Sequence, residues 1–108
     1  MNHQEKYNLT WHTYSSHLRS MLQNMREKNY QNDVTLVCDD NKSFKAHKIV
    51  LSACSPVLEN IINNCAQENH PIIYIKGIQH QEMESLLEFM YLGVVKVRDT
   101  KHILMLLK

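Results

Sequence analysis

A chain of 108 residues, 44% of them apolar, is the length of one domain and can bury a core without disulfide or metal staples. Its 12 basic and 11 acidic residues are interspersed and sum to +1, which argues against the concentrated basic face of a nucleic-acid-binding segment. No apolar run approaches the ~20 residues that span a bilayer, and two Gly and two Pro leave no room for low-complexity linkers.

Residues 1–6 are polar and read as a flexible tail. Tyr7, Leu9 and Trp11 then alternate with Asn8, Thr10 and His12, the period of a strand. Such a strand at a chain terminus carries much apolar area and needs a partner. Tyr14, Leu18, Met21, Leu22 and Met25 fall on one face of a first helix, with Thr13 or Ser15 as N-cap. Asp33-Val34-Thr35-Leu36-Val37-Cys38, the turn set Asp39-Asp40-Asn41 and Ser43-Phe44-Lys45-Ala46 predict a β-hairpin.

Between His47 and Asn64 the apolar spacing is helical, but Ser55-Pro56 interrupts it with an N-cap and a proline at the first helical position. Two short helices meeting at a corner are predicted. Pro71–Lys76 reads as a third strand, buried on both faces because its apolar run is continuous. A further helix opens at Gln79-His80-Gln81-Glu82, carries Met83, Leu86, Leu87, Met90 and Tyr91, and stops at Gly93. Val94–Val97 predicts a last short strand. Asp99-Thr100 caps a terminal helix from Lys101, whose apolar residues Ile103–Leu107 face nearly all round and call for burial.

The small sheet interleaved with helical hairpins is an α/β (α+β) domain. The residues at Asp33–Leu36, Phe44–Pro56 and Leu86–Gly93 closely resemble those of the BTB/POZ domain. Tyr7-Asn8-Leu9-Thr10-Trp11 followed by an amphipathic helix is similar to the N-terminal extension of the insect group typified by tramtrack, the GAGA factor and longitudinals lacking. The resemblance covers residues 7–108 and departs in two places. Thr10 stands where many relatives have a basic residue, and the family domain continues through one more helix.

The resemblance implies a BTB/POZ fold with a small mixed sheet, helical hairpins around it and an N-terminal strand swapped between subunits. It implies a homo- or hetero-oligomerisation domain of a nuclear transcription or chromatin regulator. That regulator's DNA-binding element, commonly zinc fingers, would lie elsewhere. The expected partners are a second copy or larger assemblies of the chain, other BTB proteins and co-regulators. The expected interface is Tyr7, Leu9, Trp11, Tyr14, Leu18, Met21, Leu22 and Met25, with the swapped strand lying beside Val95 and Val97. Asp33 and Lys48 match a charged pair that lies at the centre of the family's dimers. A cullin-type ubiquitin-ligase adaptor is the alternative function.

No catalytic, cofactor or metal site is expected. His47 is the strongest catalytic lure, but no serine or cysteine stands at an obvious partnering position; the family buries this residue at a strand-to-helix corner. A hydrolase built on it is the third hypothesis. Cys38, Cys54 and Cys65 are an odd count at wide spacings, which suits reduced thiols, and no Cys-x-x-Cys pair offers zinc its usual ligands.

Overall fold

The structure is a computed structural model that describes residues 4–98 and 101–107. In chain order the elements are α1 (Tyr14–Glu27), β1 (Val34–Val37), β2 (Ser43–Ala46), α2 (Lys48–Cys54), α3 (Pro56–Asn64), β3 (Ile72–Tyr74), α4 (His80–Leu92) and α5 (Lys101–Leu107). The sheet has the order β2-β1-β3. β1 runs antiparallel to β2, with Val34 opposite Ala46 and Val37 opposite Ser43, and parallel to β3, with Thr35 opposite Ile72 and Val37 opposite Tyr74. It is a mixed α/β fold, as the sequence predicts.

The β1–β2 turn closes where Asn41 takes a left-handed φ of 62°, a conformation that asparagine tolerates better than most residues. Its neighbours anchor the turn to the far end of the sheet. Asp39 accepts the N–H of Gly77 at 2.7 Å, and the Asp40 carboxylate meets both the backbone N–H and the Nδ1 of His80 at 3.2 and 2.5 Å. The hydrogen bond from the His80 ring holds the Asp40 carboxyl below the usual range.

One face of the sheet and the inward stripes of the helices form the core. Val34 and Leu36 from β1, Ile73 from β3, Leu51, Leu58, Met83 and Leu86 are buried there. Burial of each such side chain contributes about 1.5–3 kcal/mol. At the α2–α3 corner Ser55 is fully buried, and its hydroxyl accepts the N–H of Leu58 at 3.1 Å with Pro56 opening α3. α4 begins with a capping box between Gln79 and Glu82 and ends at Gly93, whose φ of 80° suits the residue without a Cβ.

Four expectations are corrected. β3 is an edge strand with only Ile73 buried; Ile72 and Tyr74 are exposed, because side chains alternate along a strand and only the face carrying Ile73 is packed into the core. Residues 7–11 and 94–97 form no strand in the single chain, since a strand without a neighbouring ladder cannot pair its backbone. α5 buries Ile103 and Leu106 against α3 and α4 but leaves Leu104 and Met105 exposed, so it has one packed face only. Thr13 caps α1 by position without a side-chain bond to it; its hydroxyl accepts the Trp11 indole N–H at 3.0 Å. The predicted Asp99-Thr100 cap lies outside the described residues.

Candidate functional site

α1 is the anomaly of the fold. Its apolar stripe is the kind that normally faces a core, yet none of its 14 residues is buried. Leu22, which packs against the core cluster, and Met25 are half-buried, and α1 lies along α4. Two arginines fasten it there: Arg19 donates to the carbonyl of Leu92 at 3.3 Å and Arg26 to that of Glu84 at 3.5 Å. Tyr14, Leu18 and Met21 stay exposed.

The segment before α1 extends this apolar surface. Tyr7 and Trp11 are exposed, and Leu9 is 99% exposed. Trp11 is held at the head of α1 by an edge-on contact with Tyr14, ring centroids 5.2 Å apart, and a tilted one with His17 at 4.9 Å. The whole chain has a radius of gyration of 17.4 Å, against about 13 Å for a compact domain of this length. An open arm and a helix with no fully buried residue are consistent with that excess. Val95 and Val97, the expected neighbours of the arm, are half-buried beside α4, and Val94 is exposed.

Asp33 and Lys48 do come together, but not as a side-chain ion pair. The Asp33 carboxylate accepts the backbone N–H of Lys48 at 2.7 Å, so it caps the first turn of α2 from the residue just before β1. The Lys48 ammonium turns away and donates to the carbonyls of Glu68 and Asn69 at 3.1 and 3.4 Å. A helix N-terminus carries unpaired N–H groups and partial positive charge, which makes it a better partner for the carboxylate than a mobile ammonium.

His47 is 3% exposed and both of its ring nitrogens are engaged. Nε2 lies 2.5 Å from the carbonyl of Tyr30, an atom that can only accept, so Nε2 carries the proton. In the neutral ring Nδ1 is then an acceptor, 2.6 Å from the Tyr91 hydroxyl, which donates to it and accepts the His47 backbone N–H at 3.0 Å. This closed relay joins the loop after α1, the start of α2 and the end of α4. Burial raises the Tyr91 hydroxyl to about 12. The sequence places His47 at a buried corner but does not reveal Tyr91, 44 residues away, as its partner.

The cysteines are free. Cys38 is buried and Cys54 and Cys65 partly so. Burial pushes the Cys38 and Cys54 thiols up, and the carboxylates of Asp40, Asp39 and Glu82 push Cys38 further. A thiol held protonated is a small hydrophobe rather than a nucleophile.

Comparison with known proteins bears on the family and the fold. The family model described as the BTB/POZ domain matches residues 22–108. The chain is 41% identical over 97 residues to Protein abrupt and 42% identical over 94 residues to Sex determination protein fruitless, both of Drosophila melanogaster. Those matches cover 88% and 86% of the chain but 10% of each relative, so the chain spans about a tenth of their length. Longitudinals lacking protein-like, from the same organism, is 34% identical over 90% of the chain and 75% of its own length. Among solved structures, the BTB domain of zebrafish PATZ1 superposes with a TM-score of 0.72 at 24% identity, covering 93% of this chain and 88% of that one. The BTB domain of human Gigaxonin gives 0.71 at 21% identity, over 90% and 78%. With the sheet, the helical corner and the sequence match in agreement, the chain belongs to the BTB/POZ family and is a protein–protein interaction module.

Proposed function

We propose that the module acts by self-association, with α1 and the arm before it as the seam. One observation carries this reading: the amphipathic helix α1 buries no residue in its own chain. Packed against its twin across a two-fold axis, the exposed Tyr14, Leu18 and Met21 become a core, and the thioether of Met21 adapts to the match. Tyr7, Leu9 and Trp11, exchanged onto the other copy beside Val95 and Val97, give two unpaired segments the ladder each lacks alone. A seam of this kind buries upwards of ~2,000 Å² in total. Asp33, fixed at the head of α2, and the neighbouring Lys48 supply the charged floor of such a dimer.

The matches to abrupt, fruitless and tramtrack support placing the parent protein in the nucleus as a transcription or chromatin regulator. Other BTB chains and co-regulators are the remaining partners of this proposal. In such a protein the module brings together copies whose DNA-binding elements lie elsewhere. Pairing two weak arms raises avidity without a new base contact.

Light scattering over a concentration series tests the reading. The intact chain should give two chain masses or more at micromolar concentration, and a chain lacking residues 1–12 should associate more weakly. Leu9→Asp and Trp11→Ala should shift the population towards monomer or aggregate. Saturable cullin binding at micromolar levels, from a chain that stays monomeric, would favour the adaptor function instead.

A further inference from the structure

The edge of β3 that faces away from β1 lies open, separate from α1. The parallel ladder to β1 uses the carbonyl of Pro71, which accepts from Thr35 at 3.0 Å, and the N–H of Ile75, which donates to Val37 at 2.9 Å. Backbone groups alternate along a strand, so the N–H and C=O of Ile72 and Tyr74 point away from β1. None of those four groups has a hydrogen-bond partner among the described residues. The side chains beside them are apolar and open: Ile72 is 71% exposed and Tyr74 57%. Edges of this sort are usually blunted with charge, yet the first charged residue here is Lys76, beyond the strand.

We infer that β3 pairs with β3 of another copy, antiparallel about a two-fold axis through Ile73. The register is self-complementary. Centred on Ile73, it sets Ile72 of each copy opposite Tyr74 of the other, in the two positions whose backbone groups face outward. Each such pair exchanges two N–H···O bonds, so the four open groups of each chain are satisfied. Each also juxtaposes a β-branched and an aromatic side chain, a favourable cross-strand combination. Two three-stranded sheets become one of six. Lys76 then falls opposite His70 of the other copy at the wet rim, and no pair of like acids is brought together.

The area decides how this contact operates. A three-residue edge buries well under the ~1,000 Å² that a stand-alone interface needs. It becomes effective when another contact has already doubled its valency, and here the inference rests on the α1 dimer proposed above. Two different two-fold contacts on one chain generate even-numbered closed assemblies or open chains of dimers.

Ile72→Lys and Tyr74→Lys test the inference, since both positions are exposed and tolerate charge without unfolding. At high concentration the intact chain should show species larger than a dimer by light scattering. Each substitution should abolish them while leaving the dimer and the thermal midpoint unchanged. Tyr74→Pro, which deletes one outward N–H while keeping an apolar side chain, should do the same. Larger species that survive all three substitutions, or an intact chain that never exceeds a dimer, would overturn the inference. If Ile72→Lys instead turns dimers into monomers while Leu18→Asp has no effect, β3 is the seam and the α1 reading fails.

Discussion

Replacing Tyr91 by phenylalanine removes one oxygen and keeps the ring. In the wild-type chain that oxygen accepts the backbone N–H of His47 at 3.0 Å and donates to Nδ1 at 2.6 Å, both in a buried setting. Phenylalanine leaves an N–H and a ring nitrogen unpaired where no water reaches His47, which is 3% exposed. Each orphaned group costs about 1–3 kcal/mol, so the pair should cost about 2–6 kcal/mol. Against a total of about 5–15 kcal/mol for a domain this is a large fraction. Urea unfolding followed by circular dichroism, at one fixed protein concentration, should show the midpoint lowered by about 1–3 M for an m-value near 2 kcal/mol per molar. Tyr74→Phe, whose hydroxyl is on an exposed ring, should stay within about 0.5 kcal/mol of the parent. A Tyr91→Phe variant as stable as Tyr74→Phe would refute the relay.

The same hydroxyl sets an alkaline limit. Its folded value is raised by burial from 10.0 to about 12, so its contribution is complete below pH 10 and is lost as pH rises from there towards 12. The stability advantage of the parent over Tyr91→Phe, read from urea midpoints, should shrink across that window. Ser55→Ala removes the cap on Leu58 and should cost about 1 kcal/mol, whereas Thr13→Ala, where no bond to the helix is made, should cost less. Asp33→Ala exposes the first turn of α2 and should cost about 1–2 kcal/mol. Asp33→Asn keeps an acceptor for the Lys48 N–H and should retain most of that stability. The same asparagine, however, should weaken dimers more than Glu84→Gln does, which sedimentation would resolve.

Local chemistry explains what could be read from the sequence. The hairpin around Asn41, the Ser55-Pro56 corner and the stop at Gly93 each depend on residues within a few positions, and all three stand where the sequence places them. Periodicity also found α1, but it reports only that one face is apolar, not whose surface covers it. The run Ile72-Ile73-Tyr74-Ile75 reads as doubly buried because an apolar run does not reveal that one face of the sheet lies open. Asp33 and Lys48 were legible as neighbours and illegible as partners. A pairing of side chains by charge overlooks the backbone N–H that the carboxylate actually takes. The Tyr91 contact with His47 spans 44 residues and left no local signal, although a tyrosine on the buried stripe of α4 must place its hydroxyl somewhere.

All of the functional reading turns on where the open face of α1 goes, and an intermolecular nuclear Overhauser experiment on mixed labelled and unlabelled chains asks this most directly. The Met21 methyl and the Leu18 methyls of one chain should show cross-peaks to Tyr14, Leu18 or Met21 of another. Cross-peaks from α1 confined to α4 of its own chain, in a sample of single-chain mass, would contradict the account.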